Sequence, residues 1–144
     1  MSEHNGHSGE NGLRLKTILV VDDDANIREA ILQTLKMETL YLAILAADGF
    51  EALKIIKSLK LDLFVLDYQL PGMDGIELYD HLHRTEGLEH VPALLMSTYL
   101  PTEELEKRGV SSIKKPFELA DLVQTIQELL AEQHKIPSHY ISFA

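Results

Sequence analysis

The chain has 144 residues, 45% apolar and 25% charged, the profile of one globular domain large enough to bury a core. Its 23 acids against 13 bases give a net charge of −10, which argues against the basic surface that non-specific nucleic-acid binding or docking on anionic membranes requires. There is no cysteine, so thiolate catalysis, cysteine-held zinc and disulfides are excluded.

Residues 1–13 are polar, contain several glycines and lack the apolar core of a signal peptide. No apolar run is long enough to span a bilayer. We expect a disordered tail over 1–13, carrying His4 and His7, and a cytoplasmic protein. Thr17-Ile18-Leu19-Val20-Val21 is a β-branched apolar run, expected to be a buried strand, and it ends in Asp22-Asp23-Asp24. Ile27, Ala30, Ile31, Thr34 and Leu35 then repeat at helical spacing, with Asp24 placed to cap the helix. A second strand is expected over residues 40–46, a turn at Asp48-Gly49, and a second helix on Ala52, Leu53, Ile56 and Leu59.

The third strand, from Asp62 through Leu63-Phe64-Val65-Leu66, delivers Asp67 to its carboxyl end, and a turn containing Pro71, Gly72 and Gly75 follows. Ile76, Leu78, Tyr79 and Leu82 mark a third helix ending before Gly87. Val91-Pro92 leads into the strand Ala93-Leu94-Leu95-Met96, closed by Ser97 and Thr98. A helix of barely two turns is expected over 102–108 with Gly109 at its C-terminal cap, then a weak strand over 110–114 and Lys115-Pro116-Phe117. Leu119, Leu122, Val123, Ile126, Leu129 and Leu130 form the stripe of the last helix, and 134–144 is either a loose tail or a docking strand. Five strands alternating with five helices predict an α/β fold, a parallel sheet with helices on both faces.

A parallel sheet gathers its carboxyl ends on one edge. That edge then holds Asp22, Asp23, Asp67, Ser97 and Lys115. Two unit charges about 4 Å apart repel by roughly 4 kcal/mol at an effective dielectric near 20, so three carboxylates need a proton or a cation. Hard oxygen ligands suit Mg2+, and a lysine and a hydroxyl suit the oxygens of a phosphoryl group. The chemistry points to phosphoryl transfer onto a carboxylate, with Asp67 the best nucleophile and Asp22 and Asp23 the better metal ligands. Helix capping by Asp22–Asp24 and a surface ion pair at Lys115 is the alternative reading.

Val20-Val21-Asp22-Asp23-Asp24, the stretch from Leu66-Asp67-Tyr68-Gln69 to Asp74-Gly75, Ser97 and Lys115-Pro116-Phe117 together resemble the receiver domain of two-component response regulators, over about residues 15–133. The resemblance implies a flavodoxin-like strand order 2-1-3-4-5 over a domain at 14–133, and a phosphoacceptor switch rather than an enzyme. By the same resemblance Asp67 accepts a phosphoryl group from a histidine kinase or a phosphotransfer protein. Asp23 binds Mg2+ directly, Asp22 helps hold the ion largely through water, and Gln69 offers a backbone carbonyl. Ser97 is the switch hydroxyl, Lys115 pairs with a phosphate oxygen, and the Lys115–Pro116 bond is expected to be cis.

Three departures stand out. Ser112 occupies the position of the family's aromatic switch residue, three before the lysine. The interval from Ser97 to Lys115 is short by about 4 residues, roughly one helical turn, which falls in the fourth helix or the loop after it. Thr98 replaces a small residue and Tyr99 takes the next place, where both are expected to crowd attacking water and lengthen the life of the phosphoryl group. Too few residues follow the last helix for a DNA-binding module, so we expect a stand-alone receiver acting through protein contacts, with a homodimer open. A phosphorylation-independent interaction module is the alternative. A phosphohydrolase is disfavoured by Gln69, where such enzymes carry a second Asp. His81, His83 and His90 lack a ligand set and are expected on the surface.

Overall fold

The computed structural model describes residues 14–132, so the tails expected at 1–13 and 134–144, with His4 and His7, lie outside the described residues. Five strands, β1 (Thr17–Val21), β2 (Leu42–Ala46), β3 (Leu63–Asp67), β4 (Ala93–Ser97) and β5 (Ser111–Lys114), pair in parallel in the order β2-β1-β3-β4-β5. Five helices connect and follow them: α1 (Ala25–Glu38), α2 (Gly49–Ile55), α3 (Gly75–His83), α4 (Thr102–Arg108) and α5 (Leu119–Glu132). This is the expected three-layer, flavodoxin-like α/β/α arrangement.

Alternation along the strands builds two cores. Ile18, Val20, Leu63 and Val65 face α1 and α5, where they meet Ile31, Leu35, Leu122 and Ile126. Leu19, Val21, Phe64 and Leu66 face α2, α3 and α4, where they meet Ala52, Leu78 and Leu105. Every residue of β3 is buried, which explains its unbroken apolar run. Phe64, fully buried, contributes about 1.5–3 kcal/mol by leaving water.

Some boundaries differ from the sequence reading. β2 starts at Leu42 rather than residue 40; it is an edge strand, and Leu40 and Leu42 are both exposed. Helix α2 stops at Ile55, because Ser58 takes a positive φ of 66° and closes a turn in which Leu59 N–H donates to Ile56 O at 3.0 Å. His83 is only partly exposed. It is half-buried against Tyr79, ring centroids 4.0 Å apart, and its Nε2 donates to the Val91 carbonyl at 2.7 Å.

Helix α4 has seven residues, too few to persist without packing. Leu105 anchors it in the core, Gly109 caps it in the left-handed conformation, and Arg108 ties it to α3 through two bonds to Asp80, both 2.8 Å. Arg108 also donates to the Glu104 carboxylate at 2.8 Å. The Arg108 hydrogen bond holds the Asp80 carboxyl below the usual carboxylate range, against a smaller effect of burial.

Candidate functional site

Sheet register sets the pocket. Val21 pairs with Leu66, so Asp22, the next residue along, stands beside Asp67. Ser97 pairs with Lys114, and the Lys115 N–H continues the ladder to Ser97 O at 2.9 Å. The Lys115–Pro116 peptide is cis. Lys115 Nζ reaches back to Asp67 Oδ1 at 3.1 Å and to Asp22 Oδ2 at 3.6 Å. Asp22, Asp23 and Asp67 each bring a carboxylate oxygen to within 4.8 Å of the others.

Asp22 and Asp67 are almost wholly buried, while Asp23 is exposed. Burial pushes the Asp22 carboxyl above its ordinary pKa, and the Asp24 N–H (2.9 Å from Oδ1) and Lys115 only partly oppose this. Burial and then the charge of Asp22 do the same to Asp67, against the Lys115 ammonium and the Gln69 N–H at 3.3 Å. For Lys115, burial disfavours the ammonium, but the hydrogen bond to Asp67 and the charges of both buried acids outweigh it and raise the pKa.

The pocket is therefore short of positive charge. Asp22 Oδ2 is buried and, among the described residues, has no hydrogen-bond partner, since 3.6 Å to Lys115 is beyond hydrogen-bonding distance. A buried acceptor in that state is costly and invites a cation. Three carboxylates without a soft donor suit a hard divalent ion, so Asp22, Asp23 and Asp67 could hold such an ion.

The remaining residues singled out in the sequence do not all converge on this point. Gln69 is exposed and bonds Asp67 through its N–H. The Ser97 hydroxyl is engaged away from the carboxylates: it donates to the Tyr99 carbonyl and accepts from the Tyr99 N–H at 3.1 Å. Thr98 is exposed and lines a groove of about 370 Å3 with Ile27, Lys115, Pro116 and Phe117, and Tyr99 is 77% exposed. Ser112 is exposed and lies in a separate groove with Thr102, Leu105 and Val110.

Two supports escaped the sequence reading. Arg28 Nη1 donates to the Asp22 carbonyl at 2.7 Å, one turn into α1, a spacing the helical pattern could have shown. At Gly75 a Cβ would lie 2.5 Å from the Asp67 carbonyl oxygen, so only glycine lets α3 begin against the strand end that carries Asp67.

Residues 18–127 match the response regulator receiver domain family. Over 131 residues the chain is 34% identical to the DNA-binding response regulator MtrA of Mycobacterium tuberculosis, covering 88% of this chain and 56% of that protein. The chain thus spans about half the length of the curated relatives it matches. A CheY-like receiver domain protein from Methanospirillum hungatei superposes with a TM-score of 0.75 at 32% identity, covering 83% of this chain and 97% of that one. The receiver domain of the sensor histidine kinase PA1611 from Pseudomonas aeruginosa, solved with a magnesium ion coordinated in its active site cleft, gives 0.69 at 25% identity, covering 82% and 99%. By sequence and by fold, this chain belongs to the response regulator receiver domain family of two-component signalling.

Proposed function

We propose that the chain is a Mg2+-dependent phosphoacceptor switch. Asp67 takes a phosphoryl group from the phosphohistidine of a sensor histidine kinase or phosphotransfer protein, and the modified domain changes its contacts with a downstream protein. One observation carries this reading. Lys115 and the Gln69 N–H both bind Asp67 Oδ1, and among the described residues no hydrogen bond falls on Oδ2. One oxygen is fixed and the other is left for attack.

In the proposed transfer, Asp67 Oδ2 attacks phosphorus, the P–N bond of the donor breaks, and its electron pair returns to the imidazole nitrogen. Lys115, already an ammonium 3.1 Å from the carboxylate, neutralises charge on the transferred group. Asp22, Asp23, Asp67 and the Gln69 carbonyl would hold a Mg2+ ion, which would supply further positive charge to the transferred group. The coordinated magnesium of the PA1611 receiver supports that assignment. The mostly apolar groove of Ile27, Thr98, Pro116 and Phe117 beside Lys115 suits a donor helix presenting its histidine.

Phosphorylation adds about −1.5 to −2 charge, which draws the Ser97 hydroxyl from the Tyr99 carbonyl to a phosphoryl oxygen. The loop carrying Thr98 and Tyr99 then moves, and the signal leaves through it. The exposed Ser112, with no ring to swing, favours a second reading in which the domain binds its partner regardless of phosphorylation.

Incubation with a small-molecule phosphodonor and Mg2+, read by intact mass, separates the two. The switch reading expects a gain of one phosphoryl group that disappears with chelator and in Asp67→Asn. No gain from any donor, including histidine kinases, overturns it.

A further inference from the structure

We infer that Phe50 is a positioning residue for the carboxylate pocket, acting through the loop that follows Asp67. This rests on the reading of that pocket as a Mg2+ site. Phe50 is 54% exposed and belongs to neither core cluster, so burial alone does not explain an aromatic ring there. Its contact is with Gly72. A Cβ on Gly72 would stand 2.7 Å from Phe50 Cε2 and 3.4 Å from Cζ, so the ring rests directly on the glycine backbone. Gly72 holds a φ of 80°, which keeps it glycine and keeps that surface flat.

The neighbouring residues repeat the contact in reverse. A Cβ on Gly49 would stand 2.9 Å from Met73 Sδ, so Met73 packs onto the bare backbone at the start of α2. Glycine and side chain thus interlock twice, Gly49 under Met73 and Gly72 under Phe50. The α2 side of this interlock is rigid. Asp48 caps the helix by accepting from the Glu51 N–H at 2.8 Å, and Glu51 reaches back to the Ala47 N–H at 2.6 Å.

The loop so held runs from Tyr68 to Asp74. Its far end is pinned where the Gly75 N–H donates to the Tyr68 carbonyl at 2.8 Å. Gln69, whose N–H meets Asp67 Oδ1 and whose carbonyl the proposed Mg2+ site would use, lies between that pin and the interlock. Phe50 therefore fixes the loop's tip while touching neither Asp67 nor an ion.

The test is Phe50→Ala and Phe50→Tyr, with Mg2+ affinity measured by calorimetry and the metal-free unfolding midpoint by circular dichroism. Removing an outer support of a metal site typically weakens binding about tenfold or more. The expected outcome is a loss of about tenfold in Phe50→Ala, near-wild-type affinity in Phe50→Tyr, and metal-free midpoints within about 3 °C for both, as befits a half-exposed site. Equal affinities in Phe50→Ala and wild type overturn the inference. So does a Phe50→Ala midpoint that falls far enough to account for the weaker binding. If wild type itself binds no Mg2+, the reading of the pocket fails instead.

Discussion

Replacing Asp67 with Asn should make the metal-free protein more stable, although it deletes the proposed reactive group. At 4.8 Å, the outer separation within the carboxylate trio, Asp22 repels the Asp67 charge by about 3.5 kcal/mol at an effective dielectric near 20. Lys115, at 3.1 Å, attracts it by about 5 kcal/mol on the same scale. Burial, the largest effect, tips this balance, because the Asp67 carboxyl has a raised pKa and its charge is therefore unfavourable in sum. Asn keeps an oxygen for Lys115 and the Gln69 N–H while removing the charge. The variant should therefore unfold at a higher midpoint than wild type at neutral pH. Thermal unfolding in chelator measures it directly. Millimolar Mg2+ should reverse the order, since an ion at 100 times its Kd adds about 2.7 kcal/mol to wild type and little to the variant. An Asp67→Asn protein less stable than wild type without metal would refute this charge balance.

The other expectations are smaller in scope. Leu105→Ala removes the one buried side chain of α4 and should cost about 2–5 kcal/mol by urea unfolding; a cost under 1 kcal/mol would mean that the Asp80–Arg108 tie holds the helix without it. Stability should show two opposed pH trends. The raised pKa values of Asp22 and Asp67 mean that the folded state binds their protons more tightly. Their contribution is present below the ordinary pKa of 3.8 and lost as pH rises through the folded values, so the metal-free protein gains stability on mild acidification from neutral. Asp80, with its lowered pKa, contributes above 3.8 and loses that contribution as pH falls through its folded value; Arg108→Ala should remove this acid limb and leave the other. Tyr99→Ala should shorten the lifetime of the phosphoryl group by uncovering the pocket to water, and unchanged dephosphorylation would show that the exposed ring has no kinetic role.

The pocket was legible because its logic is topological. A parallel sheet brings its carboxyl ends together, so Asp22, Asp67, Ser97 and Lys115 could be placed on one edge from strand boundaries alone. Helix α4 was bounded correctly at 102–108 because Gly109 stops it with a conformation that sequence can show. Periodicity misled at α2, where Ile56 and Leu59 keep helical spacing past a Ser58 turn whose positive φ no pattern announces. Composition misled at β2, where Leu40 looks like strand but lies exposed beside a sheet edge. Ser97 was expected as a hydroxyl that moves toward a phosphoryl group; its contact with the Tyr99 backbone, a choice between local acceptors that residue types cannot reveal, is seen only in the structure. Phe50 on Gly72 is less legible still, since it joins helix α2 to a loop 22 positions further on by shape alone.

The central claim is that Asp67 is the residue phosphorylated. Its most direct test is transfer from a phosphohistidine donor, followed by borohydride reduction and peptide mass mapping. Reduction converts an aspartyl phosphate to homoserine. The account predicts homoserine at position 67 alone, dependent on Mg2+ and on Lys115. Modification at Asp22, Asp23 or a histidine, with Asp67 intact, would contradict it.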